Sequence, residues 1–175
     1  MSRTRCLLLA AVGATALATV PLQGQAQDAV AELIDDKANP VGTAQLNQLE
    51  QGVQIVVALS GLPVGKHALH IHETGACEPP FESAGGHFNP TDAEHGFDSP
   101  GGPHAGDLPN IYVGDGALEV EYITDRVTLE DGETALLDDD GSAIVIHQGE
   151  DDYVSEPAGD AGTRLACGVI EKSGG

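Results

Sequence analysis

Basic residues are scarce in this sequence. Its 175 residues include seven lysines and arginines against 28 acidic residues, which gives a formal net charge of −21 at pH 7. A surface of this sign repels phosphate groups, so neither nucleic acid nor an anionic membrane is expected as a partner. Two interpretations of the acidic surface stay open: adaptation to high salt, and an acidic surface of the ordinary mesophilic kind.

Long apolar runs are also rare, and the clearest one lies at the N-terminus. Arg3 and Arg5 precede the apolar run Cys6–Val20, which is shorter than the roughly 20 residues that a membrane-spanning helix needs. The pattern predicts a cleaved signal peptide over 1–26 and a single secreted domain over 27–175, with the periplasm favoured over the extracellular space. Cleavage would remove two basic residues and change the formal charge to −23. An uncleaved N-terminal anchor is the alternative.

Cysteine is limited to three residues, one of which, Cys6, leaves with the predicted signal peptide. Cys77 and Cys167 then form an even pair in a chain exported to an oxidising compartment. This usage predicts a disulfide between them, and two buried free thiols are the alternative.

Helical periodicity is absent from residue 29 onward. Short apolar or alternating runs are separated by Gly, Pro, Asn and Asp, which is typical of strands and turns. The predicted strands are 29–34, 41–46, 53–59, 66–72, 117–123, 142–147 and 164–170, with a further short strand at 126–129. Without βαβ alternation, this pattern predicts an all-β, eight-stranded antiparallel Greek-key barrel or sandwich of the immunoglobulin-like kind.

Two irregular segments interrupt the predicted strands. The longer one, 75–110, is rich in Gly, Pro and His and has no periodicity, and the shorter one is 148–162. An irregular loop as long as the first is usually functional in a compact domain.

The histidines point to that function, because all seven lie between positions 67 and 147. His70 and His72 are two apart in a predicted strand, so their side chains project from the same face. The other candidate ligands are His87, His95, His104, Asp107 and His147. Imidazole suits copper and zinc, and three histidines with one carboxylate suit tetrahedral zinc. The pattern therefore predicts two metal sites.

Five motifs resemble the copper-zinc superoxide dismutases of the bacterial secreted type. They are His70-Ile71-His72, Gly86-His87-Phe88-Asn89-Pro90, His95-Gly96, His104-Ala105-Gly106-Asp107-Leu108 and the run from Gly162 to Ile170. The resemblance implies one Cu²⁺ and one Zn²⁺ per subunit. It implies copper held by His70, His72, His87 and His147, and zinc held by His87, His95, His104 and Asp107. His87 would bridge the two ions as imidazolate, whose negative charge both cations stabilise.

The same resemblance implies roles for three further residues. Asp151 would link His70 to His95 and so fix the orientation of both rings. His67 would be a structural residue that supports the copper site. Arg164 would attract and orient a superoxide anion, since a guanidinium keeps its charge at any relevant pH.

The implied reaction is the disproportionation of two superoxide anions to dioxygen and hydrogen peroxide, with redox-cycling copper and structural zinc. Arg164 and His87 would be the catalytic residues, His87 taking up a proton and returning it to the forming peroxide. A secreted copper- and zinc-binding buffer protein without turnover is the alternative, and a missing copper histidine or arginine would mark it. The family also includes homodimers, an assembly that the sequence leaves open.

Substrate attraction is where the sequence departs from the family pattern. Segment 148–163 contains no lysine and carries five acidic residues, so Arg164, with Lys66 as a second candidate, would have to attract the anion. We therefore expect a weak or inverted dependence of turnover on ionic strength.

Overall fold

Nine strands and one short 3-10 helix form the regular structure of residues 28–174, the part of the chain that the computed structural model describes. The predicted signal peptide over 1–26 lies outside the described residues. The strands are β1 (Ala29–Asp35), β2 (Pro40–Leu49), β3 (Gly52–Leu59), β4 (Gly65–His67), β5 (Leu69–His72), β6 (Ile111–Val113), β7 (Leu118–Thr124), β8 (Ala143–His147) and β9 (Arg164–Lys172), and the helix is Glu82–Ala84.

All strand pairings are antiparallel, and seven strands form one curled sheet in the order β5-β8-β9-β1-β2-β3-β7. Strands β4 and β6 form a separate two-stranded sheet. Strand β3 shows why the chain folds this way: Val53, Ile55, Val57 and Leu59 alternate with half-buried residues and face the core. Burial of such an alternating face stabilises each strand by removing apolar surface from water. The all-β prediction is confirmed.

The predicted strand 66–72 is divided between the two sheets. Ala68, which lies between β4 and β5, donates its backbone N–H to Gly149 O and accepts the backbone N–H of His147, so it pairs with the end of β8 and the loop beyond. The predicted strand at 126–129 is wrong, because Thr128 makes only an isolated bridge to Ala135. Strand β6, which is only three residues long, was not predicted from the sequence.

The long irregular segment is held against β5 by main-chain hydrogen bonds. Ile71 N donates to Gly106 O, Phe88 N donates to Ile71 O, and Gly106 N donates to Phe88 O, each at 2.8 Å. Gly106 has no room for a side chain, since an added Cβ would lie 2.3 Å from Ile71 O. The loop therefore brings His87 and Asp107 beside β5 through two isolated bridges.

The predicted disulfide is confirmed between Cys77 in this loop and Cys167 on β9, with a Cα–Cα distance of 5.6 Å. It closes a sequence separation of 90 residues. Within residues 28–174, no helix has the length and apolar character needed to cross a bilayer.

Candidate metal centre

Seven predicted ligands meet in two adjoining groups that share one ring. The first group is His70, His72, His87 and His147, and the second is His87, His95, His104 and Asp107. Within each group the available ligand atoms lie within 4.8 Å of one another, and every member is buried. His87 belongs to both groups, as the resemblance implied.

The four-histidine group is assembled by two neighbouring strands and the loop. His70 and His72 lie on β5, which pairs with β8, and His147 ends β8 at a register shift that follows Ile146. Such irregularities re-aim a side chain at the edge of a ladder. The tertiary pairing thus brings together ligands that are 75 residues apart in the sequence, with His72 Nε2 and His147 Nε2 separated by 3.3 Å.

Each ring of this group uses one nitrogen to hold its orientation. His70 Nε2 lies 2.8 Å from Asp151 Oδ2, His72 Nδ1 lies 3.0 Å from Gly85 O, and His147 Nδ1 lies 3.3 Å from Gly162 O. Each of these oxygens accepts a hydrogen bond, so the other nitrogen keeps its lone pair for a metal. His70 Nδ1 and His87 Nε2 are buried and have no hydrogen-bond partner among the described residues. Buried polar nitrogens without partners are uncommon, so the donor set fits a copper ion.

In the second group, Asp107 is the central acceptor. Its Oδ2 accepts the backbone N–H groups of Gly96 and His104, at 2.9 and 3.0 Å. Its Oδ1 lies 2.8 Å from His87 Nδ1 and 3.4 Å from His104 Nδ1. His95 Nδ1 lies 3.2 Å from Asp107 Oδ2, but this contact does not have the geometry of a hydrogen bond. Among the described residues, this buried nitrogen therefore has no hydrogen-bond partner. Three imidazole nitrogens around one fixed carboxylate fit tetrahedral zinc.

Two rings of the four-histidine group, His72 and His147, have lowered pKa values and are therefore neutral. Burial lowers the pKa of His72 to about 2 and, with the neighbouring His70, lowers the pKa of His147 to about 3. A neutral imidazole is the form that binds a metal ion. These two rings are therefore ready to act as ligands without first losing a proton.

The second group has the opposite tendency, because two buried carboxylates face it. Burial lowers the pKa of His95, but its close contacts with the carboxylates of Asp107 and Asp151 outweigh burial and raise it to about 10. Burial raises the pKa of Asp107, yet the close contacts of its carboxylate with His104, His87 and His95 hold it far below its usual range. An ionised carboxylate among imidazoles gives a local environment that stabilises positive charge.

Asp151 lies between the two groups. Its Oδ2 accepts from His70 Nε2 at 2.8 Å and its Oδ1 accepts from His95 Nε2 at 3.0 Å. Burial raises the pKa of Asp151, but these two hydrogen bonds outweigh it and lower the pKa below its usual range. His67 is not a member of either group. Its ring nitrogens lie 2.9 Å from the carbonyl oxygens of His147 and Pro63, so it braces the end of β8.

A cavity of about 440 Å³ opens beside the four-histidine group. Its lining includes His72, His87, His147 and Arg164. The Arg164 guanidinium donates to Phe81 O at 2.5 Å and to Gly85 O at 2.6 Å, which fixes its plane.

Two carboxylates, Glu73 and Glu82, line the same cavity, and Glu82 Oε2 lies 4.0 Å from Arg164 Nη2. Lys66 is not among the lining residues. Its ammonium group pairs with Glu150 and lies over the Tyr112 ring, so the expectation that it attracts substrate at the cavity is not supported. Arg164 is the one cation in the lining of this cavity, among the residues that the structure describes.

Three residues around Asp151 and Asp107 were not among the site residues predicted from the sequence. Asn110 exchanges two hydrogen bonds with the backbone of Asp151, and Tyr153 is hydrogen-bonded to both Asn110 and Asp151. Arg126 donates to Asp107 O at 2.6 Å. None of them has a sequence spacing that suggests a metal ligand. Their position relative to the ligands follows only from the folded loops.

Comparison with known proteins gives a consistent family. The family model for copper/zinc superoxide dismutase matches residues 41–170. The chain is 51% identical to superoxide dismutase [Cu-Zn] 2 of Aquifex aeolicus over 144 residues, which are 80% of this chain and 84% of the relative. It is 43% identical to superoxide dismutase [Cu-Zn] of Caulobacter vibrioides over 135 residues, which are 74% and 78% of the two chains.

Solved structures show the same likeness. The crystal structure of a SOD-like protein from Bacillus subtilis matches with a TM-score of 0.77 and 39% identity, covering 81% of this chain and 97% of that one. The Cu/Zn superoxide dismutase from Brucella abortus matches with a TM-score of 0.65 and 27% identity, covering 81% and 98%.

Proposed function

This chain belongs to the copper/zinc superoxide dismutase family, and we propose that its four-histidine group holds copper while its histidine–aspartate group holds zinc. The reaction is the dismutation of superoxide to dioxygen and hydrogen peroxide. The single observation that carries the assignment is His87, a buried ring shared by both groups, with Nδ1 beside Asp107 and Nε2 without a hydrogen-bond partner among residues 28–174. When bound, copper supplies one-electron redox chemistry, and zinc supplies fixed positive charge.

Arg164 is proposed to bind the superoxide anion at the cavity. Its side chain is 15% exposed, and two backbone carbonyls hold the guanidinium in one orientation. Because this orientation is fixed before the anion arrives, little side-chain entropy is lost on binding. The flanking carboxylates Glu73 and Glu82 oppose attraction of the anion over longer distances.

His87 is proposed to hold and release a proton at Nε2. Burial lowers the pKa of His87 to about 4, against an opposing hydrogen bond to Asp107. The ring is therefore neutral at pH 7 with Nδ1 oriented by Asp107, and Nε2 is the atom at which it would take up a proton and return it to the reduced oxygen product. Asp107 keeps the other ring nitrogen oriented meanwhile, and Asp151 and His67 keep the neighbouring ligands in place.

The test is metal content and superoxide consumption after reconstitution of the purified domain with copper and zinc. Wild-type protein should bind one ion of each metal and consume superoxide rapidly. His147→Ala removes a ligand of the copper group alone, so it should lose copper and turnover but retain zinc. His104→Ala is the matched variant in the other group, and it should lose zinc before it loses copper.

The same experiment separates the enzyme from a copper- and zinc-binding buffer protein. Wild-type protein that binds one copper and one zinc but does not consume superoxide would favour the buffer protein. Loss of zinc in His147→Ala, with copper retained, would show that the two groups are assigned the wrong way round.

We also propose that the chain is exported, with removal of residues 1–26, to the periplasm. The Cys77–Cys167 disulfide supports a location outside the cytoplasm, since disulfides persist in oxidising compartments. The intact mass of the exported protein should correspond to a chain that begins at Gln27. A mass that includes Met1 would contradict cleavage.

A homodimer is the assembly that we propose. Val64 and Tyr112 support it, because these apolar side chains are 66% and 70% exposed beside the two-stranded sheet. Sedimentation equilibrium of the mature domain should give twice the chain mass, and a monomer at all concentrations would contradict the proposal.

A further inference from the structure

Tyr153 is hydrogen-bonded both to Asp151 and to Asn110, the residue whose side chain holds the Asp151 backbone. We propose that Tyr153 is a positioning residue that holds Asp151 and, through it, the His95 and His70 rings. The proposal rests on the assignment of His95 to the zinc group and of His70 to the copper group. It adds a residue outside the ligands that controls how tightly the zinc group holds its ion.

The first contact is made by the Tyr153 hydroxyl. It accepts the backbone N–H of Asn110 at 2.9 Å. Asn110 is buried, so this N–H has no access to bulk water as a substitute acceptor. The hydroxyl therefore fixes the position of the Asn110 backbone relative to the loop that carries Asp151.

Asn110 passes this position on to Asp151. Its side-chain amide donates to Asp151 O at 2.8 Å, and its side-chain oxygen accepts from Asp151 N, also at 2.8 Å. These two reciprocal hydrogen bonds fix both the distance and the orientation of the Asp151 backbone relative to the Asn110 side chain. The Asp151 backbone is thus held by one side chain from the segment that follows Asp107.

The second contact is made by the Tyr153 backbone. Its N–H donates to Asp151 Oδ1 at 2.7 Å, the same oxygen that accepts from His95 Nε2. Tyr153, Asn110 and Asp151 therefore form a closed ring of hydrogen bonds. Rotation of the carboxylate away from His95 would break this ring.

Tyr153 also fixes the segment that follows His95. Its carbonyl oxygen accepts from Asp98 N at 3.0 Å and lies so close to Gly96 that an added Cβ there would be 2.0 Å away. Its ring meets Phe97 edge to face, with centroids 5.4 Å apart, and the Arg126 guanidinium lies 5.3 Å from the Phe97 centroid. Tyr153 therefore holds the segment that follows His95 as well as the Asp151 oxygen that the His95 ring contacts.

The experiment uses Tyr153→Phe, which removes the hydroxyl and keeps the ring. The zinc-loaded protein is mixed with a chelator, and the rate of zinc release is measured. Loss of one buried hydrogen bond to the network should accelerate release by about three- to tenfold. Co²⁺ placed in the zinc group should show a changed ligand-field spectrum, because that spectrum reports ligand geometry.

Tyr112→Phe is the matched control. It makes the same chemical change at a tyrosine of the two-stranded sheet that is 70% exposed in the single chain, and it keeps the ring that the proposed dimer contact would use. Zinc release and the cobalt spectrum should match those of wild-type protein. Circular dichroism of each variant at the assay temperature establishes that the domain is folded.

A double-mutant cycle with Asn110→Ala distinguishes positioning from a general loss of stability. If the hydroxyl acts through the Asn110 side chain, adding Tyr153→Phe to Asn110→Ala should not accelerate zinc release further. Multiplication of the two effects would overturn the proposal, as would wild-type zinc release in Tyr153→Phe. Failure of wild-type protein to bind zinc would instead refute the assignment of the metal groups.

Discussion

Breaking the Cys77–Cys167 disulfide should destabilise the metal-free protein strongly. The bridge closes a separation of 90 residues. The closed segment contains most of the long irregular segment 75–110, all of β8 and the start of β9. On the chain-entropy model, a loop of this length contributes about 4.6 kcal/mol at 25 °C by restricting the unfolded chain. For a domain of this size, that free energy corresponds to a fall in Tm of roughly 10 to 18 °C.

Packing around the bridge must be separated from chain entropy. Cys167 is fully buried and packs with Phe81, Ala84 and Val145, so replacing it with alanine also leaves a small cavity. Protein reduced with a phosphine retains both sulfur atoms and loses only the covalent link. Comparison of oxidised protein, reduced protein and Cys77→Ala/Cys167→Ala therefore gives the two contributions separately.

Guanidinium chloride unfolding of the metal-free protein measures the free energy of unfolding in all three forms. Reduced protein should lose about 4 to 5 kcal/mol, and the double variant about 1 kcal/mol more. A loss of less than about 1 kcal/mol on reduction would refute the reasoning. It would mean that the hydrogen bonds of the loop to β5 and to Arg164 already restrict the chain in the unfolded state.

Three further predictions concern charge and ionisation. Glu82→Gln should raise kcat/KM by about two- to fivefold at low ionic strength, because it removes a carboxylate 4.0 Å from Arg164. Glu171→Gln, which removes an exposed carboxylate outside the cavity lining, should leave kcat/KM unchanged. Between roughly 10 and 200 mM salt, kcat/KM of wild-type protein should change by less than about twofold or increase, and a steep fall would show that local attraction exceeds the repulsion. Burial raises the pKa of Tyr122 to about 12, so the neutral side chain stabilises the fold fully below pH 10 and this stabilisation is lost as the pH rises towards 12. In a spectrophotometric titration, Tyr122→Phe should lack the ionisation near pH 12, and retention of that ionisation would contradict the assignment.

Local sequence patterns were enough to predict the fold class and most strands. Alternation of apolar residues from Val53 to Leu59 allows only one face of that strand to be buried, so which of its side chains face the core needs no tertiary information. The candidate ligands were predictable for a related reason, since His70 and His72 share a face in any strand. The even pair of cysteines predicted the disulfide from compartment and count alone.

The folded loops decided what local patterns could not. Ala68 divides the predicted strand 66–72 because its backbone pairs with His147 and Gly149, which are distant in the sequence, and no local pattern encodes this contact. The sequence does not show a partner for Lys66, but in the fold Lys66 on β4 pairs with Glu150 of the loop that follows β8. Asn110 and Tyr153 became visible only as a closed ring of hydrogen bonds around Asp151, because a hydrogen bond depends on position and direction in space and not on spacing along the chain.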